Sequence, residues 1–175
     1  SGVQIVQYRE KTLNDIEKIN QAKDIASLCK KYNSLFIIND RIDIALAVNA
    51  DGIHLGQEDV PTKIARQILG SKKIIGRSTH CFEDIKTAEE EGCDYIGIGP
   101  VFPSKTKKKL NPLGVDYVKE GFKRTLLPSF AIGGINSSNI KKLIKIENLR
   151  IAVSDSIINS NDPYAKSKEL FKYLK

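Results

Sequence analysis

Short apolar runs alternate with longer amphipathic stretches along the whole chain. The runs are rich in β-branched residues and almost continuously apolar, which is typical of strands buried on both faces of a parallel sheet. Between them, apolar residues recur every three or four positions and predict amphipathic helices; the clearest case is Ile16, Ile19, Ala22, Ala26 and Cys29. The pattern predicts seven strands, at residues 3–9, 35–40, 52–55, 73–79, 95–100, 129–134 and 150–154.

Helices are predicted between and after these strands. Pro61 suits the first turn of the helix after the third strand. Asn136, Ser137 and Ser138 offer N-cap side chains for a helix after the sixth strand. The other predicted helices cover residues 16–29, 44–48, 82–91, 115–123 and 163–175. This alternation predicts one α/β domain of seven βα units over residues 1–175.

Two architectures satisfy such an alternation, a doubly wound sheet and a (β/α)8 TIM barrel. No GxGxxG motif opens a helix after the first strand, which weakens the doubly wound, dinucleotide-binding alternative. Polar residues and glycines cluster at the C-terminal end of nearly every predicted strand. In a TIM barrel those ends meet on one face, which carries the active site. The pattern therefore favours the barrel, with one βα unit fewer than eight.

Composition indicates the class of protein, its cellular compartment and its possible partners. Hydrophobic residues make up 41% and charged residues 28%, as in ordinary globular proteins, and no apolar run is long enough to span a membrane. The N-terminus lacks the pattern of a signal peptide, and the three cysteines form no CxxC pair. We therefore expect a cytoplasmic protein with no membrane partner. The net charge of +7 makes an anionic partner plausible, although most lysines of the predicted helices suit solvated faces.

Charged residues follow several predicted strands and indicate two kinds of site. Arg9, Lys11 and Lys107 would converge on the active face of a barrel and suit a polyphosphate, although the first two also fit an ordinary polar turn. Asp40 and Asp59 follow adjacent strands and suit Mg²⁺, which prefers one or two carboxylates with water and phosphate oxygens. The alternative for each aspartate is a helix N-cap.

The last two predicted strands end in a second candidate phosphate site. Gly133 and Gly134 would let the backbone approach an anion closely, and Val153 and Ser154 would add N–H groups and a hydroxyl. In TIM barrels the loops after the last two strands often bind phosphate in this way. Two phosphate sites predict two phosphorylated substrates.

Six runs in colinear order resemble the thiamin phosphate synthase family. They are VQYREK (6–11), FIINDRIDIALAVNADGIHLGQED (36–59), IIGRSTH (74–80), YIGIGPVFPSKTKK (95–108), AIGGIN (131–136) and AVSDSI (152–157), and together they span the whole chain. The resemblance implies a Mg²⁺-dependent transferase of thiamine biosynthesis. It would join a pyrimidine diphosphate to a phosphorylated thiazole and release pyrophosphate.

The resemblance also implies roles for individual residues. Arg9, Lys11 and Lys107 would carry the catalysis by stabilising the leaving pyrophosphate, and Asp40 and Asp59 would hold Mg²⁺. The pyrimidine substrate would be bound by Gln7, Asn39 and Ser78, and the thiazole phosphate by Ser104, Lys105, Thr106, Gly134, Val153 and Ser154. This chemistry gives neither histidine, His54 or His80, a proton to transfer, so both are interpreted as structural.

Three departures from the family pattern are visible. Ser104 replaces a usual threonine but keeps the hydroxyl, and Arg77 stands where a small apolar residue is usual. Family members begin with a further strand and helix, so the missing unit of the barrel would be the first. An open barrel would expose unpaired strand edges, so we expect a longer native protein or a partner that fills the gap, and a homo-oligomer remains open.

Two other functions fit parts of the same pattern. A related thiazole tautomerase has a histidine in the loop after the fifth strand, whereas this chain has Pro100 there and keeps FPSKTK. A non-enzymatic nucleic-acid-binding barrel would use Lys105, Lys107, Lys108 and Lys109 as a basic patch. That patch lacks interleaved aromatic residues for base stacking, so no nucleic-acid partner is expected.

Overall fold

A computed structural model describes residues 2–104 and 110–174. Its strands are β1 (Ile5–Tyr8), β2 (Leu35–Asn39), β3 (Gly52–Leu55), β4 (Ile74–Thr79), β5 (Tyr95–Ile98), β6 (Ser129–Ile132) and β7 (Ile151–Ala152). Its α-helices are α1 (Asp15–Lys31), α2 (Ile42–Ala47), α3 (Thr62–Leu69), α4 (Phe82–Glu90), α5 (Val115–Lys123), α6 (Asp155–Ile158) and α7 (Pro163–Phe171), and a 3-10 helix covers Ile140–Lys142.

The strands are ordered in the sheet as they are in the chain, from β1 to β7. Neighbours from β1 to β4 and from β5 to β7 pair in parallel. An α/β fold with a sequential parallel sheet is therefore confirmed. Contacts divide the chain into two compact units, the first formed by Val3–Arg77 with Glu91–Asp94 and the second by Ser78–Glu90 with Tyr95–Lys175 and the N-terminal dipeptide. The prediction of one domain over the whole chain stays a prediction.

In the first unit, α1 begins where the sequence provides a capping box. The Asn14 side chain accepts from the backbone N–H of Glu17, and the Glu17 carboxylate accepts from the N–H of Asn14. The helix buries Ala22 and Cys29 in a cluster formed mainly by β2 and α2. Full burial of one large apolar side chain there, such as Phe36, contributes about 1.5–3 kcal/mol.

A second apolar cluster of the same unit lies between β3, β4 and α3. Ile53, Leu55, Ala65 and Ile75 are each fully buried in it. The sequence of α3 places Ala65 on the buried side and leaves Ile64 and Ile68 exposed. These contacts hold the end of β3, after which the loop that carries Asp59 begins.

The second unit corrects one helix prediction. A helix was predicted from Asn136, but the structure has only the 3-10 helix Ile140–Lys142 in that stretch. The Asn136 carboxamide oxygen accepts from the Ser138 N–H and hydroxyl, and Asn139 Oδ1 accepts from the Asn136 N–H. Side chains that bond to nearby backbone compete with helical hydrogen bonds, so good capping residues here hold a turn instead.

The end of the chain also differs from the pattern in its boundaries. The strand predicted over residues 150–154 is reduced to Ile151–Ala152, and the short α6 begins directly after Ser154. The helix predicted over 163–175 runs from Pro163 to Phe171, with the Asp162 carboxylate accepting from the Ala165 N–H at its start. The other predicted strands and helices are found within a few residues of their predicted bounds.

Two further findings concern membrane-spanning helices and the state of the cysteines. None of the helices described is long and apolar enough to cross a bilayer. All three cysteines are free thiols: Cys29 and Cys93 are buried, and Cys81 is half-buried. Burial raises the pKa of each of these thiols, and the two fully buried ones, Cys29 and Cys93, are expected to be structural.

Candidate active site

The turn after β1 is held by the carboxylate of Glu10. Its Oε1 accepts from the Thr12 N–H (2.5 Å), the Thr12 hydroxyl (2.6 Å) and the Leu13 N–H (3.2 Å). The side-chain hydrogen bond from Thr12, followed by the backbone ones, lowers the pKa of Glu10 to about 2. This carboxylate fixes the conformation of the turn from which Arg9 and Lys11 project.

Asp40 stands immediately after β2 in the left-handed region of the backbone, with φ 63°. Its N–H donates to the His54 carbonyl oxygen over 2.9 Å, which ties this conformation to β3. Its carboxylate Oδ2 accepts from Lys11 Nζ over 2.5 Å. A residue after β1 and one after β2 therefore meet in an ion pair, which the sequence analysis did not predict.

Asp59 lies beside Asp40 at the end of the loop after β3. Its Oδ2 accepts from the Gly56 N–H over 2.6 Å, and its carboxyl group is hydrogen-bonded to that of Asp40. Burial, and then the neighbouring Asp40 carboxylate, raise the pKa of Asp59. Burial also acts to raise the pKa of Asp40, but the hydrogen bonds from Lys11 and Asp59, with the charges of Lys11 and Arg9, outweigh it and lower that pKa.

The two neighbouring carboxyl groups repel each other when both are ionised, and Lys11 compensates the charge of only one of them directly. A divalent cation bound by both carboxylates would compensate this repulsion. Groups of three or more metal-binding side chains are absent from the part of the chain described. Asp40 and Asp59 thus offer the small carboxylate set that Mg²⁺ accepts when water and substrate complete its shell.

The other predicted residues of the first unit lie on β1 and β2. Gln7 pairs in register with Ile37 and its side chain is exposed, while Asn39 pairs in register with His54 and is half-buried. Arg9 is exposed and contributes its charge to Asp40. The structure therefore brings Lys11, Asp40 and Asp59 into direct contact, with Arg9 close enough to act on them.

In the second unit, the predicted residues fall at the ends of β4, β5, β6 and β7. Ser78 is a buried residue of β4, and Ser104 is half-buried after β5. Gly134 follows β6 with φ 68°, and its carbonyl oxygen accepts from the Asn139 side chain over 2.9 Å. Lys105, Thr106 and Lys107 lie outside the described residues, so their predicted roles stay predictions.

Val153 and Ser154 join β7 to α6. Val153 is half-buried and Ser154 is exposed. The Ser154 carbonyl oxygen accepts from the N–H groups of Ile157 and Ile158 over 2.9 and 3.0 Å, and its hydroxyl makes no cap bond to α6. The Ser154 side chain is therefore not used in holding this helix.

Sequence reasoning missed two residues that organise these groups. Glu10 was included only within the run VQYREK, although its carboxylate can accept from backbone and hydroxyl donors two and three positions later at a turn. His80 was interpreted as structural without a partner, and the structure places its ring on the Gly99 carbonyl oxygen. No local pattern signals that contact, because the two residues are 19 positions apart.

The fold and these groups define a TIM-barrel-like α/β protein with phosphate-suited residues at its strand ends. A solved 3-hexulose-6-phosphate synthase from Salmonella typhimurium shares this fold, with a TM-score of 0.70 at 18% identity over 98% of this chain and 86% of that one. A sequence model of the family described as "Thiamine monophosphate synthase" matches residues 1–157. The chain belongs to that family.

Individual relatives agree with this assignment. A solved thiamine phosphate pyrophosphorylase from Pyrococcus furiosus gives a TM-score of 0.90 at 33% identity, covering 99% of this chain and 83% of that one. The thiamine-phosphate synthase of Prochlorococcus marinus strain MIT 9313 is 52% identical over 175 residues, which is all of this chain and 50% of that protein. That of Thermosynechococcus vestitus is 44% identical over 173 residues, or 49% of its length. The chain spans about half the length of the curated relatives it matches.

Proposed function

We propose that this protein is a thiamine-phosphate synthase. It would join a pyrimidine that carries a diphosphate to a thiazole that carries a phosphate, and release pyrophosphate. The observation that carries this proposal is the contact of Lys11, Asp40 and Asp59 within a chain that is 52% identical throughout to a thiamine-phosphate synthase. A cation beside a carboxylate pair is suited to binding a leaving pyrophosphate with a divalent metal ion.

The reaction needs stabilisation of charge rather than proton transfer. The bond between the pyrimidine methylene carbon and the diphosphate oxygen breaks, and the electron pair leaves with pyrophosphate. The thiazole nitrogen then donates its lone pair to the same carbon. Lys11 and Arg9, with Lys107 as a further proposed member, would stabilise the negative charge that develops on the leaving group.

Asp40 and Asp59 are proposed as the Mg²⁺ ligands. Bound Mg²⁺ would neutralise diphosphate charge and so favour its departure. Lys11 already neutralises part of the charge of Asp40, and the Gly56 N–H group orients Asp59. These contacts hold both carboxyl groups in position before the ion or the substrate arrives.

The second unit would bind the thiazole phosphate. The Gly134 backbone, the Val153–Ser154 link and the Ser104 hydroxyl supply N–H and O–H donors, and Lys105 and Thr106 are proposed to add to them. Gln7, Asn39 and Ser78 would contact the pyrimidine. Anchoring each substrate through its own phosphate would restrict its motion and so favour reaction between the two.

Three finer features of the protein are proposed with this function. The sheet would complete a (β/α)8 barrel with one further βα unit before β1, supplied by a longer chain or a partner. The protein would act in the cytoplasm, where its three thiols stay reduced. A homo-oligomer is compatible with it.

The experiment is product formation by the purified protein from the two phosphorylated substrates, in Mg²⁺ and again in excess EDTA. We expect product in Mg²⁺ and none in EDTA. Asp59→Asn and Lys11→Met should each lower kcat/KM by about a hundredfold, because each removes one charge from the leaving-group site. Asp24→Asn removes an exposed carboxylate of α1 and should leave the rate unchanged.

A folded protein that forms no product in Mg²⁺ would overturn the proposal. Full activity in EDTA would retain the synthase but overturn the Mg²⁺ assignment. Equal losses in Asp24→Asn and Asp59→Asn would show that the carboxylate pair has no special role.

A further inference from the structure

The ring of His80 joins the ends of two strands of the second unit. His80 directly follows β4, and its Nδ1 lies 2.5 Å from the carbonyl oxygen of Gly99, which directly follows β5. A carbonyl oxygen can only accept, so Nδ1 carries the proton and donates it. The His80 N–H also donates to Asp84 Oδ2 over 2.7 Å. Ring and backbone of His80 are therefore both held in place.

The segment that begins at Gly99 runs along the end of β6. The Val101 N–H donates to the Ile132 carbonyl oxygen over 2.8 Å, and the Phe102 N–H donates to that of Gly133 over 3.2 Å. We call this pairing of residues 99–103 with residues 132–134 the backbone seam. Ser104 is the next residue after it.

The two sides of the backbone seam touch without side chains between them. A Cβ atom at Gly99 would collide with the Ile132 carbonyl oxygen, and one at Gly134 would collide with the carbonyl oxygens of Phe102 and Pro103. Surfaces packed this closely cannot move independently of each other. A displacement of Gly99 must therefore be transmitted along the seam to Ser104 and Gly134.

We infer that His80 is a positioning residue for the thiazole-phosphate half of the site, acting through the backbone seam. The hydrogen bond from its ring fixes the position of Gly99. Because the two sides of the backbone seam are in close contact, the position of Gly99 in turn determines the positions of Ser104 and Gly134. This inference rests on the proposed function, because it concerns one of that reaction's two substrates. It assigns His80 no proton transfer, and no direct contact with substrate is needed.

A neighbouring residue offers a matched control. Thr79 Oγ1 donates to the Gly97 carbonyl oxygen over 3.2 Å, so it too bonds from β4 to β5. This side-chain bond lies within the strands, before the seam begins. The backbone carbonyl oxygen of Thr79 also accepts from the Gly99 N–H over 3.2 Å, and a substitution of the side chain leaves that bond in place. Loss of that bond should cost stability without displacing the segment after β5.

The test compares four variants by steady-state kinetics with each substrate varied in turn. His80→Leu removes the donor, and we expect the KM for the thiazole phosphate to rise about tenfold with the KM for the pyrimidine diphosphate within about twofold. His80→Asn places an N–H near the position of Nδ1 and should restore the thiazole KM to within about threefold of the original. His80→Gln extends its N–H to the position of Nε2 instead and should not restore it, so it replaces the leucine variant if that fails to fold. Thr79→Val should change neither KM.

The outcomes separate this inference from the function on which it rests. If the unaltered protein forms no thiamine phosphate, the proposed function fails before the variants are compared. If it is active, an unchanged thiazole KM in both His80→Leu and His80→Gln overturns the positioning role. An equal rise for both substrates, or the same rise in Thr79→Val, also overturns it, because either would indicate a general loss of structure.

Discussion

Arg77 donates from Nη1 to Glu91 Oε2 over 3.4 Å, although its side chain is only 8% exposed. The same nitrogen donates to Thr62 Oγ1 over 3.1 Å, and Glu91 also accepts from the Thr62 N–H at the start of α3. Within the described residues, Nε of Arg77 has no acceptor. The arginine that departs from the family pattern is thus a buried cation with one long ion pair and one unmet donor.

Removing the buried charge of Arg77 should cost less stability than removing its counter-charge, Glu91. Glu91→Gln leaves the guanidinium buried without a counter-charge and should lower the free energy of unfolding by about 2 kcal/mol. Arg77→Met removes the buried charge and its unmet donor and should change that free energy by less than about 1 kcal/mol. Chemical denaturation of both variants and of the double variant measures the difference. A larger cost for Arg77→Met than for Glu91→Gln would contradict this.

Glu10 predicts a defined dependence of stability on pH. Because the hydrogen bonds from Thr12 and Leu13 lower its pKa from 4.5 to about 2, the folded state binds this proton less tightly than the unfolded state does. The stabilisation is therefore complete above pH 4.5 and is lost as the pH falls towards about 2. Melting temperatures of the unaltered protein and Glu10→Gln should differ near neutral pH and converge in acid. Glu147→Gln, which replaces an exposed carboxylate, is the control. A difference in melting temperature between the unaltered protein and Glu10→Gln that does not vary with pH would contradict the lowered pKa of Glu10.

Mg²⁺ binding should depend on pH in the acid range. Because burial and the neighbouring Asp40 raise the pKa of Asp59, its carboxyl group keeps its proton to higher pH than an isolated aspartate, and a metal ion requires it ionised. The apparent affinity for Mg²⁺ should thus increase as the pH rises through the range in which Asp59 ionises. Calorimetry over a series of pH values measures that affinity. Asp59→Asn should reduce this dependence, and an affinity of the unaltered protein that does not change over that range would contradict the assignment of Asp59.

Gly134 should resist even the smallest side chain. Gly134→Ala places a Cβ against two carbonyl oxygens at a positive φ and should cost about 2–4 kcal/mol. Gly92→Ala provides the control, because Gly92 has a similar φ of 75° with nothing within 4 Å of its Cβ and should cost about 1 kcal/mol. Equilibrium denaturation compares them. Equal costs would show that φ alone, rather than the close approach at Gly134, sets the requirement for glycine.

Much of this structure could be predicted because it depends on periodicity and on strand ends. Alternating runs gave the strands and most helices. The rule that parallel strands end on one face placed Asp40 and Asp59 next to the predicted cluster of Arg9, Lys11 and Lys107, whereas the ion pair of Lys11 with Asp40 was not predicted. The helix predicted after Asn136 was wrong because side chains that cap helices also stabilise turns.

The remaining features depend on contacts that no local pattern encodes. The pKa of Asp40 is lowered and that of Asp59 is raised because Lys11 bonds to Asp40, and that contact follows from the φ of Asp40 and the length of the loop before Asp59. The His80 contact depends on the pairing of β4 with β5 beyond their last residues. Each of these contacts joins residues that are far apart in the sequence, so only the three-dimensional structure shows them.

The distribution of the thiols has a practical consequence for following this protein in solution. Cys29 and Cys93 are each only 5% exposed, whereas Cys81 is half-buried at the start of α4, immediately after His80. A maleimide fluorophore applied to the native protein should therefore attach at Cys81 alone, without cysteine engineering. The natural sequence thus provides a single attachment point for a fluorescent reporter beside the residue whose position we expect to govern thiazole-phosphate binding.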